Sequence, residues 1–147
     1  ELLFYPYLCA PSIELEIHDK RKRIDIVFDN CAEGGFFFRL SNTHDIPSRF
    51  IIVECKNYSR DVANPELDQI GGRFSPNRGK MGIITCRTID DMDTFLLRCS
   101  DTYRDSRGLI IPLVDEDFYN LLHYRAEDNE VAIDNYIQKR FHEIALK

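Results

Sequence analysis

Three charged residues stand where buried strands should carry none. Asp25 lies within Arg23-Ile24-Asp25-Ile26-Val27-Phe28, and Glu54 and Lys56 follow directly on Phe50-Ile51-Ile52-Val53. With the two-residue period of a strand, Glu54 and Lys56 project to one side of a sheet and Cys55 to the other. A carboxylate and an ammonium at the end of a buried strand are costly unless they pair or serve chemistry. On this stretch alone a structural ion pair explains them equally well. Asp25 tips the balance. If its strand pairs with the Glu54 strand, two carboxylates meet, and they repel unless a cation lies between them. A hard divalent ion such as Mg²⁺, with Mn²⁺ as substitute, suits that place: it takes oxygen ligands, keeps several waters and uses one or two protein carboxylates plus a substrate phosphate. Asp25, Glu54 and the backbone carbonyl of Cys55 are the candidate metal ligands. Lys56 beside them would orient or help deprotonate an attacking water and offset charge in the transition state.

The elements that must position these residues follow from periodicity. Residues 1–12 read as the tail of a helix or a lead-in loop. Strict alternation predicts a strand over Ile13–His18, a turn over Asp19–Lys22 and a second strand over Arg23–Phe28, together an antiparallel hairpin. Residues 30–48 are looser, with Gly34-Gly35 and Phe36-Phe37-Phe38 as a short strand or apolar plug. After the Glu54 strand, Pro65 opens a helix at a position where its missing N–H costs nothing. Leu67, Ile70 and Phe74 form its apolar face, Gln69 lies beside that face, and Gly71-Gly72 sits in its interior. A strand over Met81–Cys86, a helix over Asp90–Ser100 and a strand over Leu109–Val114 come next, the last an edge strand because of Pro112. Helices over Asp115–Tyr124, with Asp115 as cap and Phe118, Leu121 and Leu122 inward, and over Val131–Leu146 complete the chain. In the last helix Ile133, Ile137, Phe141 and Ile144 form an apolar face that fits either a core element or a homodimer surface. The alternation of strands and helices predicts an α/β domain with a mixed sheet and helices on both faces.

Composition sets the frame. The 147 residues, 44% apolar and 12% aromatic, suit one folded domain, with a core over 13–114 and C-terminal helices over 115–147. The start at Glu1 rather than Met is expected of a piece of a longer chain, with additional domains as partners. No apolar run approaches the ~20 residues of a membrane span, so no membrane partner is expected. Cys9, Cys31, Cys55, Cys86 and Cys99 form no CxxC pair. Their odd count points to reduced thiols and a cytoplasmic protein. The four histidines lack zinc-ligand spacing. The net charge of −6 disfavours a protein coated by nucleic acid, yet Lys20-Arg21-Lys22-Arg23 and Arg73, Arg78, Lys80 and Arg87 leave room for a basic face.

Asp25 in Ile-Asp-Ile-Val, and Glu54-Cys55-Lys56 ending Ile-Ile-Val, resemble the PD-(D/E)xK nuclease superfamily. Gln69 on the following helix is similar to the glutamine of the subset that includes Holliday-junction resolvases and type IV restriction nucleases. The resemblance spans roughly Ile13 to Val114. It implies a restriction-endonuclease-like, three-layer α/β/α fold with an αβββαβ core. Many members carry an acidic residue on a helix before the first strand, a region where this chain offers only Glu1. The resemblance further implies Mg²⁺-dependent hydrolysis of DNA phosphodiesters, with Asp25 and Glu54 on the metal, Lys56 assisting the water and Gln69 positioning water, metal or lysine. Restriction or phage defence is the setting it suggests. Asn57 and Tyr58 beside the motif, and Arg73, Arg78 and Lys80 beyond the Gln69 helix, would contact backbone phosphates. The competing readings are a catalytically silent nucleic-acid-binding or scaffolding module of the same fold, and a small-molecule α/β enzyme. The latter is disfavoured by the lack of a GxGxxG or GxxxxGK loop.

Overall fold

A computed structural model of the chain describes residues 3–17, 22–56 and 64–147. Five strands form one mixed sheet in the order β1-β2-β3-β4-β5: β1 (Leu8–Ile17), β2 (Lys22–Asn30), β3 (Phe50–Lys56), β4 (Met81–Cys86) and β5 (Leu109–Leu113). β1, β2 and β3 pair antiparallel, whereas β3, β4 and β5 run parallel. The helices are α1 (Gly35–Asn42), α2 (Asn64–Gly71), α3 (Met92–Arg104), α4 (Asp115–Ala126) and α5 (Glu130–Ala145). The chain is thus an α/β protein, and the parallel half of its sheet is built from the continuous apolar runs that such strands require. Ile51, Ile52, Ile84, Leu109, Ile110 and Ile111 are fully buried there. β5 lies at the sheet edge, where Pro112 costs no ladder bond.

The apolar face of α5 is core. Ile133, Ile137, Phe141 and Ile144 are all buried, and α5 packs on α1, α3 and α4. The dimer-surface alternative for that face therefore falls. Among the described residues, no helix is long and apolar enough to cross a membrane.

Several local expectations are corrected. β1 begins at Leu8, not Ile13, and its register shifts between Cys9 and Ser12, so Pro11 sits in an irregularity of the ladder. Phe36-Phe37-Phe38 is not a strand but part of α1, and two of its rings fill the core as an apolar plug would. Phe36, Phe37 and Leu40 are buried and Phe38 is exposed. This helix lies between β2 and β3, interrupting the expected run of strands. Gly34 offers α1 no side-chain cap. The Phe36 N–H instead donates to Asp134 of α5, whose other oxygen takes Arg39 at 2.9 Å. Asp115 does not cap α4. The Asp117 carboxylate accepts the Val114 N–H at 2.7 Å, leaving Asp115 in the first turn, and Leu122 is 54% exposed rather than inward.

Nor are all five cysteines reduced. Cys9 is disulfide-bonded to Cys31, because the β1–β2 pairing of Leu8 with Asn30 and Cys9 with Asp29 brings the two together. Cys55, Cys86 and Cys99 are free thiols. Three thiols and one disulfide stand where five reduced thiols, and with them a cytoplasmic protein, were expected.

α2 ends at Gly71, so the glycine pair closes the helix instead of interrupting it. Its packing is set by Gly82 on β4: a Cβ there would come within 2.6 Å of Ile70 Cδ1 and 3.0 Å of Phe74 Cζ. Gly82 lets α2 lie close to the sheet. Gly82→Ala is expected to destabilise the protein by about 1–3 kcal/mol through overpacking. Gly71→Ala, where a Cβ meets nothing within 4 Å, is expected to stabilise it by about 0.4–1 kcal/mol. Urea unfolding of the two variants checks the opposite signs, and a neutral Gly82→Ala would show that α2 is not held this way.

Candidate functional site

The site begins where the β2–β3 ladder stops. The register pairs Phe28 with Ile51, Val27 with Ile52 and Ile26 with Val53, and it ends there. One step further the same register would set Asp25 opposite Glu54. Instead the Asp25 carboxylate takes over a ladder position, accepting the Cys55 N–H on Oδ2 at 2.8 Å. The N–H and C=O of one strand residue point to the same neighbour. The Cys55 carbonyl therefore also faces the β2 side, next to Asp25. The placement of Asp25 in an otherwise apolar strand thus has a local cause: its side chain replaces a backbone acceptor where two strands part.

The return of the chain through α2 builds the rest. Glu54 and Lys56 are two apart on β3, a separation of roughly 6.7 Å. Gln69 and Arg73 are four apart on α2 and its exit turn, roughly 6 Å along a helix axis. α2 runs back along the strand, so the order inverts and the spacings match. Lys56 Nζ donates to Gln69 Oε1 at 2.7 Å and to Glu54 Oε1 at 2.9 Å. Arg73 Nη1 donates to Glu54 Oε2 at 2.5 Å. The side chains of Glu54, Lys56 and Arg73 are only 3%, 9% and 7% exposed. Desolvating a carboxylate so completely costs several kcal/mol, offset here by a charge-assisted bond on each oxygen.

Asp25, Glu54, Lys56 and Gln69, which the sequence singles out as catalytic, are thus joined at the carboxyl end of β3 through hydrogen bonds and one shared strand. The expected phosphate contacts fare differently. Arg73 is buried against Glu54 rather than displayed on the surface. Arg78 donates from Nε and Nη2 to the Arg73 carbonyl, at 3.2 and 3.1 Å, and its own carbonyl accepts the Phe50 N–H at the amino end of β3. Lys80 donates to the Ser106 carbonyl at 3.0 Å, just before Met81, the partner of Ile51. The backbones of Arg78 and Lys80 therefore stand at the end of the sheet away from Lys56, five strand residues or roughly 17 Å off, with the Arg78 guanidinium turned back to Arg73. The reason is that β4 runs parallel to β3, so the loop leading into it returns to the far end. Asn57 and Tyr58 lie outside the described residues.

Sequence reasoning missed the role of Arg73. The signal was present: an arginine four residues after the glutamine repeats the two-residue step from Lys56 back to Glu54. A second buried acid, Asp117, also escaped notice. Its carboxylate accepts from Val114 N, Tyr136 Oη at 2.7 Å and Arg140 Nη2 at 2.6 Å. Burial pushes the Tyr136 phenol up from its ordinary value. This cluster fastens α4 to α5. Among the cysteines, Cys86, paired in register with Lys56, has its thiol pushed up to about 11 by burial, so it is no nucleophile at neutral pH.

Comparison with protein-family models, curated protein sequences and solved structures finds no match to this chain. Asp25, Glu54 and the Cys55 carbonyl offer the oxygen donors a hard divalent ion takes. Among the described residues, no group of three or more His, Cys, Asp or Glu side chains is placed to hold a metal ion. Such an ion would draw its remaining ligands from water and substrate. Each Glu54 oxygen carries one hydrogen bond among the described residues and has two acceptor positions, so it can still serve a cation. Two carboxylates and two cations leave the cluster with a net charge of zero. An ion that arrives with a phosphodiester anion suits that balance better than one that arrives alone. The donor set fits a two-carboxylate metal site.

Proposed function

We propose that the protein is a divalent-ion-dependent phosphodiester hydrolase acting on DNA, built on a restriction-endonuclease-like sheet. The observation that carries this reading is the meeting of Asp25, Glu54, Lys56 and Gln69 at one strand end, from three separate elements. An ion pair alone would account for Glu54 with Lys56 and Arg73, but not for a second carboxylate beside it on β2 or for a glutamine on the lysine.

Asp25 and Glu54, with the Cys55 carbonyl, would hold Mg²⁺ or Mn²⁺. When bound, the ion supplies positive charge to the phosphoryl oxygens and acidifies water. The chain's own residues do the rest. The Cys55 N–H fixes Asp25, and Lys56 and Arg73 fix Glu54. Lys56 spends two of its three donors on Glu54 and Gln69, and the third is offered to the attacking water or a phosphoryl oxygen. Gln69 accepts from Lys56 and so limits the ammonium to one position. Restriction or phage defence remains part of this proposal as its setting, and DNA as its partner.

The test is cleavage of supercoiled plasmid with Mg²⁺ or Mn²⁺. Nicked or linear product that disappears with EDTA is expected. Failure to cut duplex, branched or single-stranded DNA with either ion would remove the reading. One observation favours the silent nucleic-acid-binding module, namely that the four charges already balance without a metal. DNA binding that is insensitive to EDTA, with no cleavage, would select it.

A further inference from the structure

We propose that Arg73 is the positioning residue of this site, holding Glu54 for the reaction, and that it makes no contact with the DNA phosphate. The inference rests on the hydrolase reading. The last torsion of a glutamate side chain is broad, with no sharply preferred angle. A carboxylate held at one oxygen by a flexible lysine would keep much of that freedom. Held at both, by Lys56 on Oε1 and Arg73 on Oε2, it is fixed in plane and direction.

Arginine suits this task better than lysine. Its guanidinium stays charged when buried, and its planar fork loses less freedom per bond formed. The backbone of Arg73 is itself fastened. Its N–H donates to the Ile70 carbonyl, and its own carbonyl accepts two bonds from Arg78. Arg78 thus secures the backbone from which the guanidinium reaches Glu54. A surface phosphate contact would need none of this, and it would need exposure that Arg73 lacks. Arg73 Nε, moreover, is buried without a hydrogen-bond partner among the described residues. That is an unfavourable placement, and it persists where the Nη1 bond to Glu54 fixes the group.

The experiment uses Arg73→Met, Arg73→Lys, Glu54→Gln and the double variant Glu54→Gln/Arg73→Met, with two readouts. In metal-free thermal melts, Arg73→Met is expected to lower Tm by about 10 °C, and by less than half as much in the Glu54→Gln background. In plasmid cleavage at saturating Mg²⁺, Arg73→Met is expected to lower kcat by about 100-fold. KM for DNA and the salt dependence of binding should stay within about threefold, as they would not if a phosphate contact were lost. Arg73→Lys should recover at least tenfold of the loss. If Arg73→Met does not fold, Arg73→Lys against the wild type decides, with a kcat about tenfold lower at unchanged KM expected. A raised KM with kcat retained, or an equal melting cost in both backgrounds, overturns the proposal. If the wild type cuts while Arg73→Met cuts equally well, only the role of Arg73 fails. If the wild type cuts nothing, the hydrolase reading fails and this inference falls with it.

Discussion

Lys56→Met is expected to reduce divalent-ion-dependent DNA cleavage by about 1,000-fold while leaving the protein folded. Methionine keeps an apolar stem out to Cε but has no donor to offer. The variant loses the 2.9 Å bond to Glu54 and the 2.7 Å bond to Gln69. It also loses the third donor, which the proposed reaction directs at the water or the phosphoryl oxygen. Glu54 keeps Arg73 on its other oxygen and the exposed Gln69 can turn to water, so the stability cost is chiefly that of the charge-assisted bond to Glu54, about 1.5–3 kcal/mol. Stability and activity thus separate. Denaturant unfolding should register the modest loss, and steady-state cleavage at saturating Mg²⁺ the large one. A Lys56→Met protein retaining a tenth of wild-type kcat would show that the ammonium is only a structural partner of Glu54, and the proposed reaction would lose its central group.

What the chain discloses about this site divides along a physical line. Features set by local periodicity are legible: the apolar run before Glu54, the odd carboxylate at Asp25, Gln69 beside the apolar face of its helix, and the four inward positions of α5. Features set by partners far along the chain are not. Nothing near Phe36 reveals that α1 is capped by Asp134, 98 residues later. Neither Cys9 nor Cys31 has a local cue for their bond, which follows from the β1–β2 register. Basic residues past α2 looked alike as a group. Which of them turns inward depends on α2 running back over β3, and that direction assigns Arg73 to Glu54 and sends Lys80 to the far end. A charge in a sequence marks an electrostatic demand, but the fold decides what meets it.

Glu54 gives the sharpest case of that demand. Glu54→Ala is expected to destabilise the protein by about 3–5 kcal/mol, the cost of leaving buried cations without their counter-charge. Arg73 and Lys56 are 7% and 9% exposed as side chains, so neither can simply turn to water. The effect should exceed that of Lys56→Met, because one carboxylate serves both cations while each cation serves only one of its oxygens. Glu54→Gln keeps the volume and one acceptor, so a smaller loss is expected, with cleavage still abolished through the missing negative charge. The decisive comparison adds a second change. If the penalty comes from stranded charge, Glu54→Leu combined with Arg73→Met should be more stable than Glu54→Leu alone, since an apolar pair of similar volume can replace a buried ion pair at little cost. Urea unfolding at neutral pH measures all four proteins. A Glu54→Ala variant within about 1 kcal/mol of the wild type, or a double variant no better than Glu54→Leu, would mean that the cluster tolerates unpaired charge, and the account of how this site is held together would have to be abandoned.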